Sequence, residues 1–193
     1  RATGTVYVHR LDNFDGTSTT VFVLDTNGNV LRQFPSQARR YGTGLEYVDG
    51  VLWATERDGA RRLVQMDPTN GVLLGERPNP FTSPFGPRCF ADDGNGNLVQ
   101  ICTAFQPGGG KLVTVLAAEI NRDAPTSIAD QLVLASRSGL INARGIEIDQ
   151  RDATMWVSDI DGVIWKIAGP RFTPPVTGVS EELTHSGPMV NVH

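Results

Sequence analysis

The chain has 193 residues, of which 39% are hydrophobic and 20% charged, with 21 glycines and 12 prolines. That length and apolar fraction suffice for one packed domain, and they exclude a collagen-like or wholly disordered chain. The net charge of −4 provides no basic footprint for nucleic acid. No apolar run approaches the length of a bilayer span. We therefore expect neither a nucleic-acid partner nor a membrane span.

Short runs of alternating Val, Ile, Leu and aromatic residues follow one another along the chain, and this pattern predicts β-strands. The clearest runs are residues 5–8, 21–24, 51–53, 63–66, 98–101, 112–115, 155–157 and 163–165. Residues 117–131 have some helical character, but Pro125 interrupts them, so a long loop with at most one helical turn is expected there. The predicted fold class is all-β.

Asn-Gly and Asp-Gly pairs separate these strands, and such pairs suit two-residue type I′ hairpin turns because both central residues need positive φ. The pairs are Asn27-Gly28, Asp49-Gly50, Asp58-Gly59, Asn70-Gly71, Asn95-Gly96 and Asp161-Gly162. Between Gly44 and Glu76, three of them divide four strands into an antiparallel meander. A meander of this size is typical of one β-propeller blade.

The meander recurs along the chain. Residues 145–149 and the strand after them align on residues 88–92 and the strand that follows, and residues 44–48 repeat the pattern. The N-terminus begins at a second strand, and its missing first strand is found in residues 187–193. We therefore predict a single four-bladed β-propeller of four-stranded antiparallel blades, with the first blade split between the two termini. The blades would span residues 187–193 with 1–35, 42–78, 86–136 and 143–184.

The split blade has three possible meanings. The strand formed by Met189, Val190, Asn191, Val192 and His193 closes the first blade of its own molecule, or it completes that of the next molecule in a ring or filament. In the third case, 193 residues are one period of a longer tandem array. The receiving edge would be residues 2–10. The sequence leaves these three alternatives open.

Two cysteines bear on the compartment. A two-residue turn at Asn95-Gly96 would place Cys89 directly opposite Cys102, in a pair whose Cα atoms are about 4.5 Å apart. That separation lies at the short end of disulfide geometry, so we predict a disulfide; two buried free thiols are the alternative. A disulfide would favour an oxidising compartment, so the protein is expected to be secreted, extracellular or periplasmic.

One aligned position suggests a metal site. The equivalent first-strand residues are Glu46, Phe90, Glu147 and Asn191. If these side chains point at the propeller axis, Glu46, Glu147 and Asn191 would offer oxygen ligands to a cation such as Ca²⁺. The alternative is that the carboxylates bind nearby backbone or Arg144. The Asp-rich turns at 25–29 and 92–97 are explained by hairpin chemistry and are not expected to bind metal.

Three motifs resemble the blades of secreted NHL- and lactonase-type β-propellers: GIEID at 145–149, MWVSD at 155–159 and LVQMDPTNG at 63–71. GLEYVDG at 44–50 is similar to the glutaminyl cyclotransferase propellers. Residues 156–159 resemble the strand that carries a metal-binding Asp in gluconolactonase-type enzymes, which implies Asp159 as a ligand, together with Glu46. The chain departs from those enzymes at Arg144-Gly145, where they have Asn-Gly, and they also have more blades.

From these patterns we expect a secreted structural or binding module that assembles with itself through the split blade. A surface or glycan ligand would be a further partner, whose identity the sequence does not indicate. The alternative is a metal-dependent lactonase or esterase that uses Glu46, Glu147 and Asp159 around one ion. Catalysis is the less favoured of the two expectations.

Overall fold

The computed structural model describes residues 4–13, 16–39, 41–81, 85–107, 111–124, 128–149, 151 and 154–167. Within these ranges the chain forms strands and turns and contains no helix, which confirms the all-β prediction. The strands are β1 (Thr5–Leu11), β2 (Thr19–Asp25), β3 (Val30–Pro35), β4 (Gly42–Val48), β5 (Val51–Glu56), β6 (Arg62–Met66), β7 (Leu73–Pro78), β8 (Phe85–Asp92), β9 (Asn97–Phe105), β10 (Leu112–Asn121), β11 (Ile128–Val133), β12 (Ala135–Ser136), β13 (Gly139–Leu140), β14 (Ala143–Asp149), β15 (Thr154–Asp159) and β16 (Ile164–Ile167).

Each sheet is a meander of consecutive antiparallel strands. Sheet I has the order β1-β2-β3, sheet II β4-β5-β6-β7, sheet III β8-β9-β10-β11 and sheet IV β14-β15-β16, while β12 and β13 form a short ribbon. The long loop expected at 117–131 is wrong, because β10 runs to Asn121 and β11 begins at Ile128. The four-blade count and the split first blade stay predictions.

The chain divides into two compact units, Arg1–Thr82 and Ser83–His193, each with its own apolar core. In unit 1, sheets I and II share a cluster that includes Val21, Val23, Leu52, Val64 and Met66. Alternation along β2 buries Val21 and Val23 on the face that joins this cluster. The strand pattern read from the sequence therefore places the core of this unit.

Unit 2 is built in the same way from sheets III and IV. Its cluster includes Val99, Ile101 and Ala117 of sheet III together with Met155 and Val157 of sheet IV. Strand β10 is buried along most of its length, because the second and third strands of this sheet are covered on both faces. Among the residues that the structure describes, no helix is long and apolar enough to cross a membrane.

The predicted two-residue type I′ turn is present at Asp49-Gly50, whereas other Asn-Gly and Asp-Gly pairs lie in longer loops. Asp49 and Gly50 have φ values of 49° and 84° and join the facing pair Val48 and Val51, as a type I′ turn requires. At Asn27-Gly28 the loop is longer: the Asp25 N–H donates to the Asn29 carbonyl at 3.0 Å, and the Gly28 N–H to the Asp25 carbonyl at 3.1 Å. This is a type I turn followed by a left-handed glycine.

An aspartate at the start of the loop explains the longer turns. The Asp25 carboxylate accepts the N–H groups of Asn27 and Asn29, each at 2.9 Å. The Asp159 carboxylate accepts the N–H groups of Asp161 and Val163 in the same way. These bonds satisfy the loop backbone and favour the three-residue loop over the two-residue turn.

The same aspartate-capped loop changes the strand register at the predicted disulfide. The Asp93 carboxylate accepts the Asn95 and Asn97 N–H groups, and the resulting loop pairs Asp92 with Leu98 instead of Val99. A bulge between Pro87 and Phe90 shifts the register again, so Cys102 faces Pro87. Neither Cys89 nor Cys102 forms a disulfide. The prediction that they face each other in a disulfide is wrong, and secretion stays a prediction without that support.

Candidate functional site

The open edge of β1 is the candidate site. β1 pairs with β2 from Thr5 facing Asp25 to Leu11 facing Thr19, and no other strand in the described part of the chain pairs with it. An unpaired edge presents backbone N–H and C=O groups that can bind a further strand. Of the predicted receiving edge, residues 4–10 are described. The predicted donor, Met189 to His193, lies outside the described residues.

The register identifies the backbone groups that point outward from this edge. The Asp12 N–H donates to the Ser18 carbonyl at 2.9 Å, in the same register as the β1–β2 pairs. Asp12 is therefore in a hydrogen-bonded pair. Because bonded and non-bonded pairs alternate in an antiparallel ladder, every second residue before it, namely Arg10, Val8 and Val6, also bonds to β2. The N–H and C=O groups of the intervening residues, Thr5, Tyr7, His9 and Leu11, face the open edge.

The outer face of β1 exposes two valines, Val6 and Val8, beside Arg10. Val6 is 48% exposed and Val8 is 40% exposed. Val8 faces Phe22 on β2, and the guanidinium of Arg10 lies 4.6 Å above the centre of the Phe22 ring. Proteins usually protect open edges with charged side chains, proline or bulges. Val6 and Val8 give β1 little such protection.

A cavity of about 320 Å³ adjoins the first half of this edge. It is lined by residues 4–7 together with Thr26, Glu46 and Tyr47. The rings of Tyr7 and Tyr47 stack with an interplanar angle of 7° and a centroid separation of 5.7 Å. The cavity therefore offers aromatic surface and one carboxylate beside unpaired backbone groups, and its size is at the lower end of small-molecule pockets.

His9 lies on the opposite face of β1 from Val8. Its two ring nitrogens are buried and make no hydrogen bond of normal geometry with any described residue. Burial lowers the pKa of His9 from 6.5 to about 4, although the nearby Gly44 backbone and Asp12 act in the opposite direction. The burial of these nitrogens could not be predicted from the sequence, because an isolated histidine in a strand of alternating residues is equally compatible with an exposed position.

The predicted metal ligands occupy equivalent positions in their own sheets. Glu46 faces Trp53 across sheet II, and Glu147 faces Trp156 across sheet IV. Glu46 is half-buried and Glu147 is exposed, while Asn191 lies outside the described residues. No group of three or more His, Cys, Asp or Glu side chains suited to a metal occurs among the residues described. The Ca²⁺ site stays a prediction.

Asp159, the ligand implied by the gluconolactonase resemblance, is engaged in its own hairpin. Besides the Asp161 and Val163 N–H groups, its carboxylate accepts the indole N–H of Trp165 at 2.9 Å. Both carboxylate oxygens are therefore used by the turn. A metal at this position would have to replace those hydrogen bonds.

Sequence reasoning also missed a buried acid in unit 2. Glu119 on β10 is 2% exposed, and its Oε2 has no hydrogen-bond partner among the described residues. Burial raises the pKa of this carboxyl, and Asp93 and Asp130 raise it further. No sequence signal indicates this burial, because a glutamate between Ala118 and Ile120 in a strand of alternating residues is expected to face solvent.

No protein-family model matches this chain, and no curated protein matches it. Solved structures do. The β-propeller domain of Cps50 (Swd1) from Myceliophteria thermophila is 11% identical, with 99% of this chain and 73% of that chain covered and a TM-score of 0.50. The gluconolactonase XC5397 from Xanthomonas campestris is 15% identical, with coverages of 82% and 52% and a TM-score of 0.51.

A GH43 glycoside hydrolase engineered at its active site is 14% identical, with 98% of this chain and 41% of that chain covered and a TM-score of 0.54. The chain thus spans about half of the gluconolactonase and less of the glycoside hydrolase. At these identities the likeness concerns the fold alone. The chain has the β-propeller fold.

Proposed function

We propose that this β-propeller is a structural or binding module that assembles with further copies of itself by accepting an extended strand at the open edge of β1. The donor is residues 189–193 of a second copy. The observation that carries the proposal is that no strand of the described residues pairs with the outer edge of β1, so sheet I has three described strands where sheets II and III have four.

The backbone chemistry suits an added strand. The outward groups of Thr5, Tyr7, His9 and Leu11 recur at every second residue, which is the spacing at which a partner strand donates and accepts. In strand addition, main-chain hydrogen bonds supply affinity and alternate side chains supply register. The donor's Val190 and Val192 alternate with Asn191, so one face of that strand is apolar.

The surroundings of the edge favour an apolar donor. The cavity beside residues 4–7 is lined by the stacked Tyr7 and Tyr47 rings, and Val6 and Val8 expose aliphatic surface. Covering this surface removes apolar area from water, which is the main favourable term in association. The open backbone edge of β1 and the apolar surface beside it therefore both favour an extended strand with apolar side chains.

The test compares three forms of the chain by size-exclusion chromatography with light scattering and by negative-stain microscopy. The full chain is expected to form rings or filaments as its concentration rises. A chain without residues 187–193 is expected to be monomeric, and to bind an added peptide of that sequence. A double variant, Val6→Lys with Val8→Lys, is expected to lose assembly, because charge on an edge strand opposes pairing.

The matched control is Val30→Lys with Leu31→Lys on β3, whose side chains are 58% and 56% exposed and lie away from the β1 edge. It adds the same charge and is expected to assemble normally. A full chain that stays monomeric at every concentration would contradict the proposal. If deletion of 187–193 then destabilises that monomer, the strand closes its own molecule instead.

The Ca²⁺ site of Glu46, Glu147 and Asn191 and a lactonase-type activity are separate proposals. The likeness to a gluconolactonase supports them only through the fold. Their test is addition of Ca²⁺ and of a chelator, with thermal unfolding and hydrolysis of simple lactones and esters as readouts. A chelator that changes neither would contradict the metal site, and the absence of hydrolysis with all of these substrates would contradict the activity.

A further inference from the structure

His9 lies where β1 meets β4. It stands opposite Val21 in the β1–β2 ladder, and its ring lies against Gly42 of β4. A Cβ placed on Gly42 would be only 2.4 Å from His9 Cε1 and 2.9 Å from Nε2. No side chain can therefore stand between the imidazole and the backbone of β4. The ring therefore fills the space between β1 and β4.

This junction suits a neutral imidazole and not a charged one. Both ring nitrogens are buried and lack a normal hydrogen bond to any residue of the described ranges. A protonated ring has two N–H donors, and a buried charge without partners is strongly unfavourable. The Gly44 backbone and Asp12 favour the charged form, but burial outweighs both and keeps the pKa of His9 at about 4, so protonation favours exposure of the ring to water.

The two carboxylates near the His9 ring, those of Asp12 and Glu56, form hydrogen bonds with other residues. On β1's own side, Asp12 accepts hydrogen bonds from Arg10, Ser18 and Thr20. Two residues before His9, Tyr7 stacks on Tyr47 of β4.

On the β4 side, Glu56 of β5 stands opposite Gly42 in the ladder. Its carboxylate accepts the Arg39 N–H and binds the Arg62 guanidinium. On the loop before β4, Ala38 presents its carbonyl to Gly42, and that oxygen already accepts the Thr19 hydroxyl. Neither carboxylate hydrogen-bonds the imidazole, and the charge of Asp12, which favours the protonated ring, does not offset the effect of burial.

We propose that His9 is an acid-sensitive latch: protonation of its imidazole releases β1 from β4 and thereby disables the strand-accepting edge. This consequence for assembly rests on the function proposed above. The link is geometric, because His9 also belongs to the outward-facing backbone positions of β1. Tyr7, on the same face of β1, forms one wall of the cavity. Displacement of β1 therefore disturbs both the hydrogen-bonding edge and the cavity.

The direction of the pH effect follows from the pKa of His9, which is about 4 when the ring is buried and 6.5 when it is free. Between these values the released state binds more protons than the docked state, so docking weakens as the pH falls from 6.5 to 4. Lowering the pH from 7.5 to 4.5 is expected to shift the docking equilibrium roughly 10²-fold toward release.

Hydrogen exchange of the β1 amides that bond to β2, those of Val6, Val8 and Arg10, tests the latch in the full chain, since a β1 strand that has lost its packing on β4 separates from β2 more readily. Protection factors, corrected for the intrinsic pH dependence of exchange, are expected to fall roughly 10²-fold between pH 7.5 and 4.5. They are expected to change less than about threefold in His9→Gln and in His9→Leu, two neutral replacements of different polarity. His185→Gln is the control and should keep the wild-type fall. Protection in the wild type that does not change with pH, or an unchanged fall in both His9 variants, would overturn the latch.

A second measurement separates this result from the proposed function. The probe is a peptide of residues 187–193 carrying His193→Gln, so that it has no titratable ring, added to a chain that lacks those residues. Binding is expected to weaken at pH 4.5 in the wild type and to persist in His9→Gln. Peptide that binds at neither pH contradicts strand acceptance, while the exchange experiment still decides the latch. Peptide that binds the wild type equally at both pH values overturns the latch as a control of the edge.

Discussion

Replacing Gly42 with alanine would put a methyl group into a contact that has no room for it. The new Cβ would lie 2.4 Å from His9 Cε1 and 2.6 Å from the Ala38 carbonyl oxygen. Both distances are well below the normal van der Waals separation, so neighbouring groups must move. The carbonyl is held by the Thr19 hydroxyl at 2.7 Å, and the imidazole is packed between strands. We expect a loss of about 2–3 kcal/mol in the free energy of unfolding, since overpacking a filled site costs about 1–3 kcal/mol.

Urea unfolding followed by circular dichroism measures this loss as a lower midpoint at unchanged slope. Gly50→Ala is a comparison variant without a clash: nothing lies within 4 Å of its added Cβ, so its loss comes only from its φ of 84°, which is unfavourable for alanine. That variant isolates the backbone cost, which is roughly 1–2 kcal/mol for a left-handed residue. Gly42 has no positive φ, so its cost is steric.

The double variant Gly42→Ala with His9→Ala distinguishes the cause. Removing the ring should relieve part of the clash, so the two losses should couple by at least about 0.5 kcal/mol, as expected for residues in contact. A Gly42→Ala variant as stable as the wild type would refute the close packing of β1 on β4. Strict additivity of the two substitutions would show that the ring is not the obstacle.

Three further substitutions test other contacts. Glu119→Gln should raise the free energy of unfolding at pH 7, because the folded pKa of this carboxyl lies above its unfolded value and the buried charge opposes folding. This gain in stability should shrink as the pH falls below the folded pKa. Unfolding measured at several pH values checks this. Arg62→Leu should cost about 2–4 kcal/mol, since it leaves Glu56, which is 2% exposed, without its ion pair. Restoring stability with Glu56→Gln in that background is the check, and no restoration would contradict the pairing. Asp159→Ala should cost about 1–2 kcal/mol through the three lost hydrogen bonds of its hairpin, and an unchanged chemical denaturation midpoint would contradict the turn.

The sequence predicted strands well because alternation and β-branched composition are local properties. β2 and β5 lie where Val, Leu and aromatic residues alternate or cluster, and the Asp49-Gly50 turn has the predicted positive φ values. The strand prediction failed at residues 117–131, where Pro125 was taken to interrupt regular structure. In the structure β10 has already ended at Asn121, before the proline.

Register was harder to predict than strand existence. A side chain just before the turn, such as Asp93, changes the loop length by capping N–H groups, and a shift of one residue changes every pair beyond it. The Cys89–Cys102 pairing was lost in this way. Within the candidate site, residues 2–10 were predicted as an edge because the pattern of blade strands lacks one member.

The sequence by itself determined the all-β class and the meander order, because these depend on periodicity and turn chemistry within a few residues. Only the tertiary structure decided that Tyr7 stacks on Tyr47, that the ring nitrogens of His9 are buried beside Gly42 and that Glu119 is enclosed. Those features depend on which sheet packs against which and at what height. Burial, and with it the pKa of a histidine or a glutamate, is set by neighbours that are distant in the chain.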